Sequence, residues 1–337
     1  MRRICVSCLA INRTYAKQKT HDESLFNRKE IHFRAKLNTL KTILITGGTG
    51  LVGVRLSKLL SSAGYVVTHL SRNPTEGTYK TFHWDIKKGA IDQEAISSAD
   101  AIIHLAGAGV ADKRWNEDRK KEIYDSRIDS TKLLKKEIAK HNPKLEYFLS
   151  ASAIGYYGWD TGGQLVDESS PRGDGFLADV VNDWEAEVST FDELGIKNGK
   201  LRIGVVLSAE GGALLEIAKP IKLFAGAALG PGDQFMSWIH IDDLCRMFQF
   251  MLENSLEGVF NGVAPHPETN SGLTKKLAAK LGRPLWLPNV PKFALQLLVG
   301  EMAGMLIGGN RVSSQLVEKK GFKFKHQTLE EALDDLL

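Results

Sequence analysis

Residues 42 to 53 read TILITGGTGLVG, and whether this run is a nucleotide clamp decides the fold. An apolar, β-branched stretch ends in glycines. LVGVRLSKLLSSAG then repeats apolar residues at helical spacing and stops at Gly64, a residue type suited to the position after a helix end. Gly47, Gly50 and Gly53 stand three apart, and Gly48, Gly50 and Gly53 also satisfy G-x-G-x-x-G. Such a pattern is informative when a strand precedes it and a helix follows, as here. Gly47 then permits a tight turn, Gly50 lets the backbone approach a pyrophosphate, and Gly53 lets the helix pack closely on the strand. The first amides of the helix, at Leu51 and Val52, face the phosphates. A glycine-rich turn without a ligand is the weaker reading in this setting.

The same alternation continues along the chain. YVVTHLS, YKTFHWD, DAIIHLAG, LEYFLSASAIG and KLRIGVVLS read as strands, and RKKEIYDSRIDSTKLLKKEIAKH and FLADVVNDWEAEVSTFDELG as helices. Strands alternating with helices predict an α/β fold, a doubly wound parallel (Rossmann) sheet covered on both faces. After Ser208 the rhythm changes to a glycine-rich stretch, then to a strand and helix in MSWIHIDDLCRMFQFMLEN, a short strand in GVFNGVAP, and helices and loops up to the amphipathic TLEEALDDLL. Residues 42–207, completed by 235–265, are assigned to the nucleotide-binding domain. Residues 208–337 are assigned to a smaller substrate-side lobe and C-terminal domain, in which 208–234 and 266–337 cap the carboxyl edge of the sheet.

The end of the second strand discriminates between cofactors. An NAD enzyme carries an acid about 20 residues after the glycines to hold the ribose hydroxyls. Here the residues are His69, Leu70, Ser71, Arg72 and Asn73, with no carboxylate. A hydroxyl followed by a guanidinium suits a 2′-phosphate, so NADP is expected over NAD. The competing reading of Arg72 is a solvated loop residue.

Composition bounds the partners. The formal net charge is +4, but residues 1 to 40 hold nine Lys and Arg against three Asp and Glu, a net of +6, which leaves −2 on the rest. A nucleic-acid footprint on the body of the protein is therefore not expected. The extension, residues 1–41, is expected to be a disordered arm, a misplaced translation start or a weak targeting segment, since it lacks the apolar run of a secretory signal. Cys5 and Cys8 form a CxxC with no second ligand pair, and three cysteines in all fit a reducing, cytoplasmic setting. No window offers the ~18 apolar residues of a membrane span, so no membrane partner is expected. The closest, FALQLLVGEMAGMLIGG from Phe293, reads as a packed helix pair. His104, His240 and His266 are scattered and suggest no metal site.

With TGGTGLVG, LSRNP, HLAGAG, SASAIGYYG and SWIHIDDL in this order, the chain resembles the extended short-chain dehydrogenase/reductases. Within them it is similar to the atypical group labelled NAD-dependent epimerase/dehydratase family with a C-terminal domain of unknown function. ADKRWNEDRKKEI, NGVAP and GNRV add to the likeness, which covers residues 42 to 337. The resemblance implies that Ser71 and Arg72 contact the NADP phosphate, and that Leu105, Ala106 and Gly107 form the strand end beside the cofactor. It also matches Glu122, Arg127 and Val206 to cofactor-contact positions; without it, Glu122 and Arg127 read as a surface pair on a charged helix.

Ordinary members of that superfamily use a Ser or Thr with Tyr-x-x-x-Lys, the lysine lowering the phenol's pKa for acid or base work. The only such spacing here, Tyr15 to Lys19, precedes the first strand, and the resemblance puts Phe176 and Val180 at the motif. Ser152 remains at the carboxyl end of the fifth strand, and Tyr156, with Tyr157 beside it, is the nearest phenol that could transfer a proton. Packing is the competing role for both tyrosines. His240 is expected to be a satisfied internal group, and Asp242 or Asp243 a helix cap. The expected function is an NADP-dependent oxidoreductase or epimerase-like enzyme acting on a small polar molecule, nucleotide sugars among the candidates. The alternative, favoured by Phe176 and Val180, is an NADP(H)-binding regulatory protein without turnover.

Overall fold

The computed structural model describes residues 42–337. The basic arm, the Cys5 and Cys8 pair and the Tyr15 to Lys19 spacing lie outside the described residues. Strand β1 (Thr42–Thr46) runs into helix Leu51–Ser62, which ends at Ala63 with Gly64 in the left-handed region at φ +95°. Next come β2 (Val66–Ser71), β3 (Lys80–Asp85), β4 (Ala90–Ile91), β5 (Ala101–His104) and β6 (Tyr147–Ala153). Lys197–Ile203 and Gly258–Gly262 complete an eight-stranded sheet.

The order across the sheet is Gly258–Gly262, Lys197–Ile203, β6, β5, β1, β2, β3, β4. Every pairing is parallel except that of β3 with the two-residue β4. Central strands in such a sheet are covered on both faces, so their side chains are apolar without alternation. Ile43, Leu44, Ile45, Ile102, Ile103, Phe148 and Leu149 are accordingly all buried. The winding reverses between β1 and β5, which opens a crevice at their carboxyl ends.

The helix Glu117–His141 starts on Asn116, whose side chain accepts from the Arg119 amide. Helix Ile241–Asn254 lies against Leu51–Ser62, held by Arg55 on Asp242 at 2.6 Å. The glycine-rich stretch after Ser208 contains a helix, Ala213–Lys222, because Leu214, Ala218 and Ile221 fall on one face. They join Trp238, Leu273, Leu277 and Leu333 in a second core. Short strands form two further parallel pairs outside the large sheet, Val205–Leu207 with Trp238–His240 and Arg311–Val312 with Leu165–Val166. The FALQLLVGEMAGMLIGG stretch is two short helices, Lys292–Val299 and Ala303–Ile307, joined by a tight turn. The first buries only Leu295, so the expectation of a packed pair fails on that helix's outer face.

Buried histidines make the fold sensitive to acid. His104 is fully buried between the Thr46 hydroxyl at 2.7 Å and that of Ser130 at 3.1 Å, and burial pushes its pKa down to about 3, with Arg127 adding to the fall. In the unfolded chain a histidine titrates near 6.5, so below that pH the unfolded state takes up the proton first and stability falls until the folded value is reached. Between about pH 7 and about pH 5 this residue alone removes about 2 kcal/mol. Urea unfolding at the two pH values is expected to show that loss, and His104→Gln to reduce the pH slope by about that amount; an unchanged slope refutes the assignment.

Candidate functional site

The crevice at the ends of β1 and β5 is built around the glycine turn. Gly47 sits at φ +71°, and a Cβ there would lie 3.0 Å from the Ala106 nitrogen. A Cβ on Gly53 would fall 2.3 Å from the Gly47 carbonyl oxygen, so the helix approaches the turn closely only with glycine there. The Gly50 amide donates to the Gly47 carbonyl at 3.0 Å and leaves the amides of Leu51, Val52 and Gly53 at the start of the helix. No side chain caps this end and no acid stands in its first turn. Free amides and the positive end of the helix dipole thus point at the crevice without competition, the arrangement that seats a phosphate group.

Strand β2 delivers Ser71 and Arg72 to the same edge. The Ser71 hydroxyl is turned onto Asn73, 3.2 Å from both its carbonyl and its amide. Arg72 is exposed and has no salt bridge among the described residues. Glu122 lies near enough to Arg72 to be affected by it, although the Arg119 hydrogen bond at 2.6 Å is the largest cause holding its carboxyl below the usual range. On the other wall, the Thr46 hydroxyl accepts from the amides of Leu105 and Ala106 at 3.1 and 3.2 Å and fixes the turn out of β5.

Gly107 stands against the Arg127 guanidinium, 3.2 Å from an added Cβ. Arg127 is half-buried and donates to the carbonyls of Ala108 and Ile123 at 3.1 and 2.9 Å, but no carboxylate faces it within ion-pair distance among the described residues. Burial pushes its pKa down to about 10, and Arg119 adds to the fall. A desolvated cation without a counterion is costly, so the site favours an anion at this point. Val206 pairs with Ile239, and beyond it Gly212 lies 3.2 Å, by an added Cβ, from the Leu51 side chain. The residues predicted for the cofactor thus gather along one edge, although they come from six separated segments.

The end of β6 holds a network that sequence reading missed. The Ser152 hydroxyl donates to Glu185 at 2.5 Å, and the Arg202 guanidinium clasps both oxygens of the same carboxylate at 2.7 Å. Arg202 also donates to the Tyr157 hydroxyl, which donates to the Asn261 side chain at 2.8 Å. Burial pushes the Tyr157 phenol up to about 12. Tyr156 is half-buried and lies flat under Arg202, 3.4 Å from guanidinium carbon to ring centre. Its hydroxyl has no hydrogen bond to a described residue, whereas Ser152 and Tyr157 are committed. The signal for this network was a charge on each of two buried elements: Arg202 within the strand KLRIGVV and Glu185 on the inner face of a helix.

Phe176 and Val180 occupy the first turns of helix Phe176–Ser189. Phe176 packs edge-on to Trp115, with Trp159 and Met302 in the same cluster, and Val180 is buried. Lys120 stands over the Phe176 ring at 5.6 Å and bonds Glu301 at 2.5 Å.

Two expectations change around His240. The cap of helix Ile241–Asn254 is His240 itself, whose Nδ1 accepts from the Asp242 amide at 3.1 Å. Asp242 instead holds Arg55, and Asp243 accepts from the amides of Lys325 and His326 at 2.8 Å, because both carboxylates point to chain segments far off in sequence. His240 Nε2 has no hydrogen-bond partner and lies 3.3 Å from Asp335, so the internal group is only half satisfied. The scattered set of His104, His240 and His266 gives way to a cluster of His240, His326 and Asp335, with the two rings stacked at 3.8 Å. The bond at Nδ1 keeps the proton of a neutral His240 on Nε2.

Residues 43–174 match the model of the NAD dependent epimerase/dehydratase family, and residues 290–336 match a domain of unknown function, DUF1731. An epimerase family protein of Mycobacterium leprae is 35% identical over 303 residues, covering 89% of this chain and 96% of that protein. The crystal structure of a human epimerase family protein, SDR39U1 isoform 2, with NADPH is 33% identical with a TM-score of 0.78, over 88% of this chain and 98% of that one. A nucleoside-diphosphate sugar epimerase from Corynebacterium glutamicum is 30% identical with a TM-score of 0.72, over 92% of this chain and 62% of that one.

The Glu185 and Arg202 pair can be tested by unfolding in urea. Glu185→Ala leaves a buried guanidinium unpaired and is expected to cost about 3–5 kcal/mol. The double substitution Glu185→Leu with Arg202→Leu is expected to cost less than the sum of the two single ones; strict additivity rules out the coupling.

Proposed function

The chain belongs to the NAD dependent epimerase/dehydratase family, and from that premise we propose that it is an NADP-dependent oxidoreductase or epimerase-like enzyme acting on a small polar molecule. Nucleotide sugars are the leading class. The substrate lies between the carboxyl edge of the sheet and residues 208–337. Gly47, Gly50, Leu51, Val52 and Gly53 hold the pyrophosphate. Ser71 and Arg72 take the 2′-phosphate, and Leu105, Ala106, Gly107, Glu122, Arg127 and Val206 line the rest of the cofactor. The observation that carries this reading is a pair of guanidinium groups without a salt bridge among the described residues at one edge, Arg72 exposed and Arg127 half-buried, beside an uncapped helix start.

The residues present fit the cofactor, which when bound supplies or accepts the hydride. Tyr156 holds the proton that the substrate oxygen gains or loses. Its face-on contact with Arg202 fixes the ring at the end of β6 and leaves the hydroxyl without a partner among the described residues. Ser152, fixed by Glu185, keeps an oxygen lone pair at the end of β6 and orients the substrate hydroxyl or carbonyl. Phe176, Trp115 and Trp159 exclude water from that wall. The second reading, an NADP(H)-binding protein without turnover, is favoured by Phe176 and Val180, since neither side chain can move a proton.

Calorimetry with NADPH and NADH tests the cofactor. Arg72→Ala is expected to weaken NADPH binding about 10- to 100-fold and to leave NADH nearly unchanged; equal losses overturn the 2′-phosphate assignment. Loss of absorbance at the reduced nicotinamide band is then followed with NADPH and a panel of carbonyl compounds, and epimer formation from nucleotide sugars is followed by chromatography, because an epimerase returns its hydride and consumes no cofactor. Turnover that falls at least about tenfold in Tyr156→Phe supports the enzyme. Tight NADPH binding with no turnover on any of them favours the second reading.

A further inference from the structure

Several large apolar side chains of the lobe are exposed. Phe293, Leu297 and Leu298 are 71%, 78% and 70% exposed, and Trp286 and Leu223 are 68% and 77% exposed. At 100° per residue, Phe293 and Leu297 both point about 160° away from Leu295, the one side chain this helix buries. Two contacts connect the chain segments that carry these residues. Val290 pairs with Leu229 just before the helix, and the Arg283 guanidinium lies 4.5 Å over the ring of Phe224, next to Leu223. An exposed apolar surface of this kind marks a binding face.

Charge identifies what it binds. From Thr269 to Gly300 the sequence holds five Lys and Arg and no acid. Lys276 and Lys280 are paired with carboxylates of other segments. Arg283 and Lys292 flank the apolar residues and have no salt bridge among the described residues, and the same holds for Lys222 beside Leu223. A second copy of the chain docked on this face would bring the cations against one another with no acid from the segment to offset them. A short helix exposing Phe293, Leu297 and Leu298, with Trp286 in the loop before it and unpaired cations on the neighbouring segments, matches the boundary of an anionic bilayer.

We infer that this face of the lobe docks peripherally on anionic lipid. Phe293, Leu297, Leu298 and Trp286 enter the boundary between headgroups and acyl chains, while Arg283, Lys292 and Lys222 meet the headgroup phosphates. No helix among the described residues is long and apolar enough to cross a membrane, and none is needed, because the attachment lies in the plane of the surface.

Flotation of the full chain with vesicles is the test. Vesicles of phosphatidylcholine with roughly one third phosphatidylglycerol are expected to carry the protein, and pure phosphatidylcholine vesicles to leave it behind. Raised salt and the double substitution Phe293→Glu with Leu297→Glu should each reduce binding at least about tenfold. Brominated acyl chains should quench tryptophan emission, and Trp286→Phe should remove most of that quenching. Binding that survives the double substitution but is lost when residues 1–41 are deleted overturns the inference in favour of the basic arm. So does a dimer in sedimentation that the double substitution disperses, and so does failure to float with anionic vesicles.

Discussion

The approach of a helix to the end of a strand without intervening side chains is the constraint on which the rest of this structure depends. Gly53 against the Gly47 carbonyl, and Gly47 against the turn out of β5, leave no room for a Cβ at either contact. That closeness brings the uncapped start of helix Leu51–Ser62 into the crevice opened by the reversal of winding between β1 and β5. A cap or an acid in the first turn would satisfy the helix internally; their absence leaves a positive site for a ligand. His69 reinforces the turn from below, its ring lying where any side chain on Gly48 would go.

The polar groups under this edge divide into those the protein satisfies itself and those it leaves open. Thr46, His104 and Ser130 form a closed chain of hydrogen bonds, and Arg202, Glu185, Ser152, Tyr157 and Asn261 another. Closed networks of this type hold geometry, because each member left unpaired in a low dielectric is expensive. Arg127 belongs to neither: its guanidinium donates to backbone carbonyls and lies over the Trp184 ring, with no carboxylate within ion-pair distance among the described residues. The candidate phenol, Tyr156, lies against the second network through its ring, while its hydroxyl takes no part in it.

Phe176 and Val180, which the resemblance sets at the positions of a proton-transferring pair, supply apolar packing in this structure. Phe176 joins Trp115, Trp159 and Met302 in an apolar wall that ties the loop after β5, the loop after β6 and the C-terminal segment together. Such a wall contributes packing where polar groups would need partners. Proton transfer, where it occurs, is left to the residues at the end of β6.

The sequence by itself determined the winding, because apolar runs ended by glycine and helices of regular period are local features. It also determined the glycine clamp and the missing acid after β2, which depend on spacing and residue type at single positions. Only the tertiary structure decided the partners of side chains that act at long range. Ser152 reads as an available hydroxyl until Glu185, 33 residues away, is seen to hold it. His240 reads as a satisfied internal group, but it is the cap of its own helix, and its other nitrogen faces Asp335 near the chain end. The helix Lys292–Val299 reads as packed because its residues are apolar, while its outer face is open. Periodicity records that a residue is apolar or charged. Which atoms stand opposite it is set by the meeting of segments far apart in the chain, and no single stretch carries that information.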